Sequence, residues 1–154
     1  MTNNSFKNIR FFSYVAILFC AIWAVFMVVH FIQIFGGNKV IDWSQHSNFK
    51  IGFVGVYIVS CFATIWMCVK FVINTLNGGH DNTVFPKSNV KLLYWLALSV
   101  FIYLLCSTNE PILYNKELAF RFMHINLVVP FLLLFFAFMY KVAADAVEEN
   151  NLTI

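Results

Sequence analysis

The residues of this chain that could do chemistry are few, and most are mild. Ser60, Thr64 and Cys68 recur every fourth position, as do Ala16, Cys20 and Ala24. Asn126 and Pro130 stand four apart, and His124 lies just before them. The other histidines, His30, His46 and His80, form no His-x-x-x-His or Cys/His ligand pattern. Cys20, Cys61, Cys68 and Cys106 include no Cys-x-x-Cys dithiol, so each reads as a small apolar side chain. There is no Gly-x-Ser-x-Gly and no glycine-rich phosphate loop. No enzyme signature, cofactor or metal is expected from these patterns. The small residues at four-residue spacing read as seams where helices approach closely. Proline removes the backbone hydrogen bond to the carbonyl four residues earlier. Within a continuous helix, Pro130 would therefore free the Asn126 carbonyl and make a kink, which could serve as a hinge or as a pocket lined by His124 and Asn126.

The elements that position these residues are four uncharged apolar stretches at 11–35, 51–69, 92–109 and 122–140. A spanning helix needs about 20 apolar residues, so all four qualify. The composition agrees, with 61% hydrophobic and only 11% charged residues; a soluble domain carries about 25% charged. The expected fold is all-α: one domain over residues 1–154, with four antiparallel transmembrane helices joined by short loops. No Asp, Glu, Lys or Arg falls within the four stretches, which weighs against proton-coupled pumping through a mid-membrane carboxylate. The first stretch is too long for the core of a cleaved signal, and reads as a signal anchor.

Basic residues set the expected threading. Lys7, Arg10, Lys70, Lys87, Lys91 and Lys141 would lie on one side, and Lys39, Lys50, Lys116 and Arg121 on the other. The positive-inside rule then places both termini in the cytoplasm. Gly36-Gly37 ends the first helix, the Asn77-Gly78-Gly79-His80-Asp81-Asn82 cluster makes a cytoplasmic turn, and Ser88 or Asn89 caps the third helix. Beyond 140 the run Lys141 to Glu149 is rich in helix formers. The fourth helix should extend a turn or two into the cytoplasm before a short tail ending at residue 154. Asp145, Glu148 and Glu149 make that extension acidic, suited to attracting a basic partner.

Two segments carry a resemblance. One is Asn82-Thr83-Val84-Phe85-Pro86-Lys87-Ser88-Asn89-Val90; the other is the ending Ala143-Ala144-Asp145-Ala146-Val147-Glu148-Glu149-Asn150-Asn151-Leu152-Thr153-Ile154. Over essentially the whole chain these resemble a bacterial four-helix membrane family, domain of unknown function 2975. That family shows a Phe-x-x-x-Asn element before the third helix, here Phe85 to Asn89, and an acidic segment closing on Leu-Thr-Ile or Leu-Thr-Val. Val147 and its alanine-rich lead depart from the more charged family stretch. Family genes often lie beside a gene for a very small helix-turn-helix DNA-binding protein. The resemblance therefore implies a non-enzymatic regulatory protein of the bacterial cytoplasmic membrane that sequesters or controls such a regulator, without touching nucleic acid itself. Phe85, Asn89, Asp145, Glu148, Glu149, Leu152 and Ile154 would form the docking face. The alternatives are a small-molecule or lipid-binding membrane protein or transporter, and an accessory subunit of a membrane complex. Membrane lipids are expected partners, and a homo-oligomer is compatible with the pattern.

Overall fold

The computed structural model describes residues 3–36, 41–78, 85–116, 118–122 and 125–152. Its elements are α1 (Asn3–Gly36), α2 (Ser47–Gly78), α3 (Ser88–Thr108), the short 3-10 helix η1 (Glu110–Leu113) and α4 (Val128–Leu152). No strand occurs among the described residues. Each α-helix contains a stretch long and apolar enough to cross a membrane, with mean hydropathy falling from 2.7 in α1 to 1.8 in α4. The fold is that of a multi-pass, all-α membrane protein.

Helices that follow one another in sequence lie antiparallel and packed side by side, with the α2–α3 seam the most extensive and α3–α4 next. α1 sits at the edge. Only 6% of its apolar window is buried, against 28% in α2 and α3. Phe11, Phe12, Phe19, Phe26 and Phe35 all point outward, where lipid supplies the apolar surroundings that a soluble core would have to provide.

Lipid tails are as apolar as leucine, so burial alone does not choose which helix faces which. Small residues and interhelical hydrogen bonds make that choice. Ser60 and Thr64 are buried on α2, opposite Ser99 of α3. The Thr64 and Ser99 hydroxyls lie 2.9 Å apart, and Ser99 donates to the Ser60 carbonyl at 3.0 Å. The expected small-residue seam is thus the α2–α3 contact, tied by hydroxyls at mid-helix. Cys68, the third member, is half-buried against the apolar cluster shared by α2, α3 and α4, with Cys20 of α1 as its neighbour.

At the end of the bundle where α1 begins and α4 finishes, the termini end, three helices meet on one side chain. Asn89 is fully buried. Its carbonyl oxygen accepts from Asn74 at 2.9 Å. Its amide group reaches the Phe71 carbonyl at 3.3 Å, the Thr75 hydroxyl at 3.1 Å and the Tyr140 hydroxyl at 3.3 Å. Phe71 and Phe85 pack edge-on against the Tyr140 ring. This overturns the expected cap: α3 begins after Lys87, in helical backbone conformation, with no side chain bonded into its first turn. Asn89 turns inward because α2 and α4 offer it partners there.

The start of α4 also differs from expectation. The fourth helix begins at Val128, not near residue 122. The preceding chain is held elsewhere, since the Arg121 amide donates to the Asn109 side chain at 2.6 Å. Asn126 lies outside the helix, its side chain accepting from the Val128 amide at 3.1 Å in a local turn. Pro130 is then the third residue of α4, within the first turn, where amides have no intrahelical partner to lose. There is no interrupted helix at Pro130 and so no kink or hinge of the expected kind. Pro130 is buried, Asn126 is exposed, and His124 lies outside the described residues.

Replacing Asn89 with Ala should cost roughly 1–3 kcal/mol, since it takes from Asn74 its 2.9 Å acceptor and from the buried Tyr140 hydroxyl its donor. Equilibrium unfolding in lipid or mild detergent measures this. Thr75→Val, which removes one of the amide's several acceptors, should cost less.

Candidate functional site

The opposite end of the bundle holds a polar cluster drawn from four elements. His30 lies on α1, Tyr57 on α2, Glu110 opens η1, and Tyr114 follows it. His30 Nε2 is 3.1 Å from Glu110 Oε2 and 3.2 Å from the Tyr57 hydroxyl. The Tyr114 hydroxyl donates to Glu110 Oε1 at 3.2 Å. Tyr57 is 1% exposed, while the His30 and Glu110 side chains retain 35% and 20%. The Tyr103 hydroxyl donates to the Met27 sulfur at 3.7 Å. Trp23 packs edge-on against Tyr103. The polar attachments of α1 to the bundle thus run along Trp23, Met27 and His30, one face at helical spacing.

The geometry limits the chemistry. A charge relay through imidazole uses both ring nitrogens, one to orient and one to transfer. Here carboxylate and phenol share Nε2, which carries at most one proton. The cluster can exchange that proton between two partners, but it has not built a relay. Burial and the facing Glu110 carboxylate push the Tyr114 phenol up to about 12, so it remains a donor to Glu110. A cavity of about 530 Å³ adjoins the cluster, lined by Ser107, Thr108, Glu110, Pro111, Tyr114 and Asn115. Among the described residues no group of three His, Cys, Asp or Glu is placed to hold a metal ion.

Lys50 supports this end from the first turn of α2. It is fully buried, and its ammonium donates to the Asp42 carbonyl and, at 3.0 Å, to the Asn115 carbonyl. It so ties the 41–46 segment and the chain after η1 to α2. The Asp42 carboxylate accepts from the Ser44 hydroxyl and the Ser44 amide, bonds that hold its pKa below the ordinary 3.8, with Lys50 and Lys116 adding to the same effect.

The expected docking residues fall at the termini end, but not as one free face. Asn89 is buried and unavailable to any partner, and Phe85 is half-buried against Tyr140. Asp145 and Glu148 stand on α4, which runs as helix to Leu152. Both meet Lys87, Asp145 at 3.8 Å and Glu148 in direct hydrogen bond. These pairings hold the Lys87 ammonium above its usual value, Glu148 contributing most. Phe85, Lys87 and Asn89 therefore strap the α2–α3 connection onto α4, with the outer two turned inward and the middle one outward. Glu149 is exposed; Ile154 and the Leu152 side chain lie outside the described residues.

Sequence reasoning missed Glu110, Tyr57 and Lys50 as members of a site, and saw His30 only as a histidine outside any ligand pattern. The chain finds no match among protein-family models, curated proteins or solved structures.

Two outcomes follow. In a double-mutant cycle, His30→Leu and Glu110→Gln should couple by about 1 kcal/mol, in the range of polar contacts between membrane helices; unfolding of the four variants measures it. Asp42 is held below 3.8, so its contribution is present above that pH and is lost as pH falls through the lower folded value. Asp42→Asn should flatten the acid limb of the stability curve while leaving its shape near neutrality unchanged.

Proposed function

We propose that the protein is a non-enzymatic regulatory protein of the bacterial cytoplasmic membrane, with both termini in the cytoplasm, that holds a small basic helix-turn-helix regulator against its termini end. The observation that carries this reading is the rigid, acid-bearing extension of α4. The helix continues without a break through Asp145, Glu148 and Glu149 to Leu152, beyond the uncharged run that ends at Tyr140. The count of basic residues supports placing that extension in the cytoplasm, and the resemblance of its closing segment supports the kind of partner. Docking would use Asp145, Glu148 and Glu149, not Asn89. The exposed bridges of Lys87 are weak ones for a partner to displace, since such pairs contribute about 0–1 kcal/mol.

A second reading is ligand binding from the other side, as a small-molecule or lipid-binding protein. It is favoured by the cavity beside Glu110 and replaces the pocket once expected at Pro130.

Capture of a small basic helix-turn-helix protein by the full chain in membranes tests the first reading. Asp145, Glu148 and Glu149 changed together to Ala should weaken capture roughly tenfold, at about 0.5 kcal/mol per charge. The loss should be largest at low salt. Equal capture by both forms would leave the extension as a solvated helix end.

A further inference from the structure

We propose that the cavity at the end of α3 binds a primary ammonium group. This rests on the second reading above, that the cavity takes a ligand, and adds the ligand's chemical class. The lining supplies acceptors on several sides: the Glu110 carboxylate, the Ser107 and Thr108 hydroxyls and the Asn115 residue. Among the described residues no cationic side chain lines it. Lys50 lies behind the Asn115 backbone, fully buried and committed to two carbonyls.

Glu110 is the centre of the site. Its Oε2 takes His30 and its Oε1 takes Tyr114. A carboxylate offers about four acceptor positions, so two remain on a side chain that forms part of the cavity wall. The existing bonds fix the carboxylate's orientation from the α1 side and from the η1 side, which pre-organises it for a donor arriving through the cavity. An ammonium brings three N–H donors on a compact charge, matching one carboxylate and neighbouring hydroxyls. An anion would meet the carboxylate's charge. A quaternary ammonium has no N–H to give. The volume of about 530 Å³ lies in the range of small-molecule sites.

The cavity's depth admits two sources for that group. α3 ends at Thr108, and the lining begins at Ser107. The site therefore sits where the apolar span gives way to polar chain, at the level of lipid headgroups. The ammonium could belong to a phosphatidylethanolamine headgroup or to a free amine.

The test is thermal unfolding of the full chain in nanodiscs. Discs of pure phosphatidylcholine are compared with discs containing phosphatidylethanolamine, and phosphatidylcholine discs are also titrated with free ethanolamine or free choline. The expected result is a Tm raised by several degrees with phosphatidylethanolamine, with ethanolamine, or with both, and not with choline. A rise with the lipid alone assigns the headgroup; a rise with ethanolamine alone assigns a free amine. Glu110→Gln should abolish the rise. Because Glu110 also holds His30, Thr108→Val serves as the second variant: it leaves that pair intact and should reduce the rise. His30→Gln should keep it, since the carboxylate remains. A rise with choline equal to that with ethanolamine, lost in Thr108→Val, would keep a ligand site but overturn the ammonium assignment. No rise with any probe, or a rise unchanged in both Glu110→Gln and Thr108→Val, would overturn the site and the second reading together.

Discussion

Hydrogen bonds between helices, in a solvent that offers none, are the interaction on which this structure depends. In water the apolar faces of four helices would find one another by exclusion. In lipid that drive is absent between helices, and specificity passes to the few groups that lose most when left alone. The protein places such groups at three levels. Asn89 joins α2, α3 and α4 at the termini end, the Thr64, Ser99 and Ser60 set joins α2 to α3 at mid-depth, and His30 with Glu110 and Tyr57 joins α1 to the far end. No buried side-chain polar atom among the described residues is left without a partner. Between these levels the surface is phenylalanine, leucine and valine, facing outward.

This division accounts for the uneven attachment of α1. Its polar links to the bundle include His30 and the Met27 contact, and most of its length faces lipid. α2 and α3, joined at mid-depth and at the termini end, form the rigid centre. α4 is fastened at the termini end by Tyr140 and, outside the apolar layer, by Lys87. The acid-bearing extension is therefore coupled directly to the α2–α3 connection through Phe85, Lys87 and Asn89, while the Glu110 cluster sits at the opposite end of the same helix α3. A ligand at one end and a partner at the other would act on one shared element.

Much of the fold was legible in the sequence because hydropathy and length decide it almost alone. Four apolar stretches gave four helices, Gly36 ended the first, and the helix formers after Lys141 carried the fourth on to Leu152, about three turns past Tyr140 where a turn or two was expected. The small-residue spacing at Ser60 and Thr64 identified a true seam. What failed were local rules that tertiary partners override. Asn89 has the residue type of a cap, but a buried site with Asn74, Thr75 and Tyr140 holds it better than the first turn of α3. Pro130 has the type of a kink, but Asn126 stops the helix just upstream, so the proline falls where it costs nothing. The Glu110 cluster was not legible, because His30 and Glu110 stand 80 positions apart and meet only through the antiparallel path of three helices.

The central claim is that polar contacts, and not apolar area, set which helices face each other. Disulfide trapping in native membranes tests it most directly. In a chain whose own cysteines are replaced, Thr64→Cys with Ser99→Cys should cross-link rapidly under a membrane-permeant oxidant. Phe26→Cys with Phe131→Cys, on outward faces of α1 and α4, should stay reduced within one chain. Rapid cross-linking of the second pair with the first remaining free would contradict the account, since it would put the phenylalanine faces inside and the hydroxyls in lipid.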